Sequence, residues 1–383
     1  MATSDIALVL PVLWCGKLSC TTRTVWSVAA SHSGISTTWQ ARSCDLRAKT
    51  ETGIAPSDAS LSVSEAAFLF ADLSEGTFYG VCHVKAYILA AGNGSRLRPL
   101  THELPKPMVP LVNRPLVSHL IEHLRPHVDH IRLNVAYNKR PLIEFLDTQQ
   151  AVSYFDEGGS PLGSARTLEQ ENQYLQSGPV LVACGDILCN WNVPQMLNFH
   201  ATRRALVTVA VRRIADPRPF GVVVTDGEQR IVRFVEKPQV PPSQFISCGI
   251  YLFSPEVLRY WNPAWRDIGC DLLPELVGRE LPVYAWPMDP LAFWSDIGSP
   301  ETYLNTHLRL TGGLCTLDPN ARIASDTHLS DTVVGANAEI GRGSRLERCV
   351  VWPGACIPSG TFLYNTIVTP LTTVAVDSAY LCA

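Results

Sequence analysis

Apolar positions divide the chain into three textures. Between about 85 and 312, short apolar runs alternate with segments of helical spacing. KAYILAA (85–91) is a continuous apolar run closed by glycines, the pattern of a strand buried on both faces. Val117, Leu120, Ile121 and Leu124 then recur at the spacing of one helix face, and IRLNVA (131–136) reads as a strand. The run from Ser164 to Tyr174 opens on a capping-type residue and predicts a helix. VLVAC (180–184) is another buried strand, followed at once by Gly185 and Asp186. Alternation of this kind predicts a parallel sheet with helices on both faces. Residues 221–237 break the rhythm and read as a hairpin turning at Asp226-Gly227. Ser254-Pro255-Glu256 and Ser299-Pro300-Glu301 each carry the cap, proline and acidic first turn of a helix start.

From about 317 to 370 the period changes to six. Ile323 and Leu329, then Val334, Ile340 and Leu346, then Val351, Ile357 and Leu363 are the repeating apolar positions, with two slips of phase. A six-residue period predicts a short parallel β-helix, irregular at the slips, with one apolar residue per strand turned inward. Its turns carry no catalytic set, so assembly or capping is its expected role. Residues 1–84 hold no sustained period and are rich in Ser and Thr, which predicts a weakly ordered extension of unknown role. Within it, 66–71 suits a short helix or strand.

Composition narrows the class. A 383-residue chain suffices for two or three cores. A net charge of −4 argues against a general nucleic-acid binder. The 12 cysteines include no CxxC pair and no zinc spacing, which predicts a reducing, cytoplasmic setting. The apolar stretch 6–15 follows an acidic residue and falls short of the ~20 residues a bilayer span needs, so neither a signal peptide nor a membrane anchor is expected. His83, His102, His119, His123, His127 and His130 lack partners at ligand spacing and read as packing or surface residues.

The chemistry concentrates in LAAGNGSRLRPLTHELPKPMVPLVNRPL (89–116). A buried strand ends at Ala91. Gly92 and Gly94 then let the backbone approach a ligand and present N–H groups to it. Arg96 follows, and Lys106 stands on a segment stiffened by Pro105, Pro107 and Pro110. Two cations beside a glycine turn suit a polyphosphate. A dinucleotide fingerprint is excluded because Leu97 stands where its third glycine belongs, and no Gly-Lys-Ser/Thr follows for a Walker loop.

This segment resembles the signature of sugar-1-phosphate nucleotidyltransferases, G-G-x-G-[TS]-R-L-x-P-L-T-x-x-x-P-K-P-x-x-P. SPLGSA (160–165), CGD (184–186), FGVVVTDGEQRIVRFVEKP (220–238), SCGIYLFSPEVL (247–258) and FWSDIGSPETYL (293–304) resemble later elements of that family, in family order. The resemblance implies an α/β fold: a Rossmann-like domain over 85–312 with a mixed, mainly parallel sheet, then a short left-handed parallel β-helix over 313–383. It implies that Arg96 and Lys106 bind the triphosphate, with Asp186 completing the catalytic set. Asp186 and Asp296 would hold Mg²⁺. Ala90, Ala91, Gly92, Gly94 and Gly163 would line the nucleotide. Glu236 would bind sugar hydroxyls, Lys237 the sugar phosphate, and Gly249 would lie against the sugar. Substrates would be a nucleoside triphosphate and a sugar 1-phosphate, with a homo-oligomer through the β-helix.

The string most resembles mannose-1-phosphate guanylyltransferases, giving GTP and mannose 1-phosphate as the expected pair. Glucose-1-phosphate thymidylyl-, uridylyl- and adenylyltransferases are the alternatives, and a regulatory subunit that binds a nucleotide sugar is an alternative of another class. Departures concern the sugar half: Arg166 stands where relatives carry glycine, and Ser247-Cys248 replace Asn-Ala. The first predicts a cation at the base and sugar loop, the second a lost or shortened contact to the sugar.

Overall fold

The computed structural model describes residues 84–377. Apart from Val84, the expectations for the Ser/Thr-rich extension, including 6–15 and 66–71, lie outside the described residues. In chain order the strands that build the first body are β1 (Lys85–Leu89), β2 (His130–Val135), β3 (Val152–Asp156), β4 (Val180–Cys184), β5 (Ile187–Cys189), β6 (Val207–Arg213), β7 (Gly221–Thr225), β8 (Ile231–Glu236), β9 (Phe245–Phe253), β10 (Val283–Pro287) and β11 (Trp294–Asp296). The helices used below are α1 (Leu116–Leu124), α2 (Arg140–Leu146), α3 (Ser164–Gln170), α4 (Val193–Arg203), α5 (Leu273–Gly278) and α6 (Pro300–Thr311).

The central sheet runs β8-β7-β9-β4-β1-β2-β3, with β6 joining β9 and carrying β10. β1 is parallel to β2 and β4, and β2 to β3. β9 is antiparallel to both β4 and β6, so β6 points the same way as β1. Successive residues of β1 serve opposite faces. Ala86 and Ile88 pack among Val117, Leu120, Leu142 and Met196 of α1, α2 and α4. Tyr87 packs among Leu168 and Leu276 of α3 and α5. Both faces being covered, β1 reads in sequence as an unbroken apolar run.

The 221–237 hairpin forms as β7 and β8, and the Asp226 carboxylate accepts the N–H groups of Glu228 and Arg230 to close the turn. Ser299 caps α6 in a reciprocal box with Thr302. One expected cap is corrected. Ser164 is the first residue of α3, and Gly163 occupies the cap. Ser254, Pro255 and Glu256 take the expected places at the start of the 3₁₀ turn Pro255–Tyr260, but the Ser254 hydroxyl makes no cap bond; it donates to the Ala205 carbonyl and meets His200. Among the described residues, no helix is long and apolar enough to cross a membrane.

After α6 the chain winds through three short sheets, parallel except where Thr373–Ala375 closes one of them antiparallel to Thr366–Val368. Val333 pairs with Val350 and Val350 with Ile367, a rise of 17 residues per coil. The inward row Val334, Ile340, Leu346, Val351 and Ile357 is buried, while Ile323, Leu329 and Leu363 of the outer coils are partly so. The apparent slips of the six-residue period are thus regular. Each coil takes two six-residue sides and one five-residue side, and the short side carries a left-handed residue: Asp331 (φ 48°), Arg348 (φ 54°) or Asn365 (φ 46°).

Candidate functional site

The carboxyl ends of β1 and β4 open into a cavity of about 330 Å³. Ala90, Ala91, Gly92, Lys106, Gly163, Asp186 and Glu236 line it, as does Asn134. Asn134 is a buried polar residue among the apolar positions of β2, and it organises one wall. Its Oδ1 accepts the Ala90 N–H at 2.6 Å, and its Nδ2 donates to Glu157 Oε1 at 2.7 Å. Glu157 Oε2 in turn accepts the Leu162 N–H at 2.8 Å. The glycine turn and the 157–163 loop are therefore held by one side-chain network. Gly163 is required by geometry: its φ is 102°, and a Cβ there would stand 2.5 Å from the Arg266 carbonyl oxygen.

The second wall is charged. The Lys106 side chain is 10% exposed and its Nζ lies 2.7 Å from Asp186 Oδ2. Asp186 leads into β5, which pairs antiparallel with β11, and the Ile297 N–H donates to the Asp186 carbonyl at 3.0 Å. This ladder sets the Asp186 and Asp296 carboxylates side by side. Burial and the Asp186 charge push the Asp296 carboxyl up to about 6, against the pull of Lys106, Arg96 and Lys237. Arg96 reaches the same place from the other side: a Cβ on Gly298 would be 3.2 Å from both Arg96 Nη1 and Asp296 Oδ2.

Asp296 Oδ1 is sealed from solvent without a hydrogen-bond partner. Two adjoining anions, one with an orphaned oxygen, form a place short of a cation. Among the described residues no cluster of three or more His, Cys, Asp or Glu residues could cage a metal. The Asp186–Asp296 pair, with the unpartnered Asp296 oxygen, fits a divalent ion that draws its remaining ligands from phosphate and water.

The third wall was only partly foreseen. Glu236 is half-buried, and desolvation raises its carboxyl above the usual range. Its Oε2 lies 2.6 Å from where a Gly269 Cβ would stand and 2.8 Å from that of Gly221. Asp267 accepts the N–H groups of Gly269 and Cys270 at 2.8 and 2.9 Å and so caps the π-turn Ile268–Leu272. Ser164 clasps this turn to α3, donating to Asp267 Oδ2 and accepting the Ile268 N–H. Asn134, Glu157, Tyr251, Asp267 and Gly269 were not singled out from sequence. The one available signal was a polar Asn inside IRLNVA.

Several expected residues, Arg96 and Asp296 among them, stand off the cavity wall. Lys237 is 62% exposed at its side chain and pairs with Glu236 at 3.3 Å. Gly94 lies behind the loop, where a Cβ would meet the Thr101 methyl at 2.8 Å. Gly249 (φ 72°) sits at the register shift of β9, its Cα hydrogens turned onto Cys184 and Ile187 of β4 and β5 rather than into the cavity. Arg166 corrects the expectation of a cation at the base and sugar loop: it donates to the Pro263 carbonyl and pairs with Glu169, off the wall. Ser247 is buried against the Tyr251 hydroxyl at 3.3 Å, one layer behind the wall that Tyr251 lines. The seven described cysteines are free. His123 packs on Trp191 at 4.4 Å, as a packing residue should.

Anion-binding backbone, a buried lysine and paired carboxylates at the carboxyl ends of parallel strands define a nucleotide-handling α/β protein. A family model described as nucleotidyl transferase matches residues 85–312, and the chain belongs to that family. Its relatives include a Mycobacterium tuberculosis mannose-1-phosphate guanylyltransferase, 31% identical over 300 residues, covering 72% of this chain and 82% of the relative. A Danio rerio mannose-1-phosphate guanylyltransferase catalytic subunit beta is 34% identical over 315 residues, covering 74% and 86%. A Synechocystis UTP–glucose-1-phosphate uridylyltransferase is 37% identical over 240 residues, covering 57% and 61%. Among solved structures, a Bacillus anthracis protein assigned as a glucose-1-phosphate thymidylyltransferase shares the fold, with a TM-score of 0.52 at 21% identity, covering 58% of this chain and 94% of that one. Members of this family generally use a divalent metal.

Proposed function

We propose that the chain transfers a nucleoside monophosphate to a sugar 1-phosphate and releases pyrophosphate, with GTP and mannose 1-phosphate as its preferred pair. The observation that carries the reading is the Asp186–Asp296 pair facing the buried Lys106 across the strand ends. The names of the relatives support the substrates, since guanylyltransferases recur among those similar over most of their length.

Asp186 and Asp296 are the residues that would hold Mg²⁺, which when bound offsets charge on the phosphates. Arg96 and Lys106 neutralise the triphosphate and the departing pyrophosphate. Backbone around Ala90, Ala91, Gly92 and Gly163 lines the nucleotide. Glu236 holds sugar hydroxyls, and Lys237, free to swing from its exposed position, meets the sugar phosphate. The attacking phosphate oxygen is already anionic at neutral pH, so positioning and charge neutralisation suffice without a general base. The regulatory-subunit reading loses one of its two supports, because Arg166 stands outside the cavity wall.

A grid of nucleoside triphosphates against sugar 1-phosphates, with Mg²⁺ and a pyrophosphate readout, tests the proposal. Release is expected with one triphosphate and one sugar phosphate together, strongest for GTP and mannose 1-phosphate. Silence across the grid, with a nucleotide sugar still bound, would replace catalysis by regulation.

A further inference from the structure

The signature loop, the Asp296 segment and the β-helix share one core. Leu97, Leu100, Val109 and Leu111 of the loop pack with Ile297, Tyr303 and Leu304, and with Val333, Val350 and Trp352 of the coils. Directed hydrogen bonds run through that core toward Lys106. The indole N–H of Trp352, a group that can only donate, gives its proton to the Tyr303 hydroxyl at 2.9 Å. Tyr303 is left to donate to the Pro110 carbonyl, four residues beyond Lys106. His307, one helical turn along α6, also donates to that carbonyl from Nε2 at 3.2 Å. Its Nδ1 accepts the Val112 N–H at 3.4 Å, so a single neutral tautomer satisfies both contacts. Tyr303 and His307 are fully buried and Trp352 is 2% exposed, so water cannot replace these partners.

A second observation points the same way. The loop ends in a tight hairpin at Val112 (φ 47°) and Asn113 (φ 61°). A β-branched residue in the left-handed region is strained and persists where its surroundings over-determine it. Here the surroundings are the β-helix: Asn113 Nδ2 donates to the Val334 carbonyl at 3.0 Å, and Thr369 of the coils donates to the Glu103 carboxylate within the loop.

We infer that the β-helix is a positioning element of the transfer site, with Trp352 and Asn113 setting the placement of Lys106. This goes beyond a role in assembly, and it rests on the reading of Lys106 as a triphosphate ligand. Trp352 and Asn113 are positioning residues that touch no substrate.

The test is a double-mutant cycle. Calorimetry first finds which of GTP, ATP, UTP and dTTP binds most tightly with Mg²⁺ and no sugar phosphate, and that triphosphate is the probe. Trp352→Phe keeps the ring in place and removes the donor. It is expected to weaken binding of the probe about fivefold, the scale of one net hydrogen bond, and to lower kcat at least as much. In a Lys106→Ala background the same change is expected to have no further effect, because its route is gone. Asn113→Gly, which keeps the left-handed turn and loses the Val334 contact, is expected to behave alike. A structural role alone would give equal losses with and without Lys106. Equal losses, or wild-type affinity and kcat in both variants, overturn the inference. Should the wild type bind the triphosphate yet transfer to no sugar phosphate, the proposed reaction fails while the binding cycle still decides the inference. A wild type that binds no triphosphate overturns both.

Discussion

The two halves of the cavity, the one proposed for the triphosphate and the one proposed for the sugar, are built on different principles. The proposed triphosphate half draws on one stretch of chain plus strand ends: Ala90 to Gly92 and Lys106 from the loop after β1, Asp186 just before β5, and Asp296 on the strand that pairs with β5. The sugar half is assembled from distant pieces: Glu236 at the end of β8, a π-turn from Ile268 to Leu272, and space left by Gly221 and Gly269. The first half carries chemistry that any triphosphate needs. The second carries shape, and shape distinguishes sugars.

The largest expected effect separates the halves outright. Lys106→Ala or Asp186→Ala should lower kcat by ~10²–10³, the loss of one electrostatic contact worth ~3–4 kcal/mol. An unchanged turnover number in either would remove the triphosphate half from the account.

Acid should loosen the same half from behind. Burial lowers the His307 pKa from 6.5 to about 3, so the native imidazole stays neutral while the unfolded one takes a proton. The unfolded state binds more protons below the unfolded pKa, so stability is lost as pH falls from about 6.5, by roughly 2 kcal/mol at pH 5. Thermal midpoints measured from pH 7.5 to 5 should fall less steeply in His307→Gln than in the wild type. Parallel curves would show that another group governs the acid limb.

The sugar half is probed by Gly269→Ala. Its new methyl would meet Glu236 Oε2 at 2.6 Å and drive that carboxylate from its place. KM for the sugar phosphate should rise about tenfold, the scale of one charge-assisted hydrogen bond, while KM for the triphosphate stays put. Equal changes in both constants would mean that the halves are not separable. The smallest effect belongs to Arg166→Ala. With its guanidinium on Pro263 and Glu169, the change should alter the preference between sugar phosphates by less than about twofold, as for an exposed ion pair. A switch of preferred substrate would put Arg166 back at the sugar.

Legibility in the sequence follows the same division. The 221–237 hairpin and the α6 cap were readable because each rests on neighbours within a few residues, and β1 and β4, which pair with each other from far apart in the chain, because burial on both faces leaves an unbroken apolar run. Lys106, Asp186 and Glu236 were readable through motifs and do converge on one cavity. Asn134 and Asp267 were not singled out, because the contacts that tie them to the cavity, Ala90 for the first and Ser164 for the second, are 44 and 103 residues away. Arg166 was misjudged because a residue type at a loop position does not say which way its side chain turns. The coil corners at Asp331, Arg348 and Asn365 looked like lapses in a period of six, since a backbone in the left-handed region leaves no apolar mark.

The fate of isotopic label tests the central claim most directly. With GTP, mannose 1-phosphate and Mg²⁺, label at the α-phosphorus should appear in the nucleotide sugar and label at the γ-phosphorus in pyrophosphate, in equal amounts. Label from the γ-phosphorus on the sugar or in free phosphate, with none from the α-phosphorus in a nucleotide sugar, would contradict it.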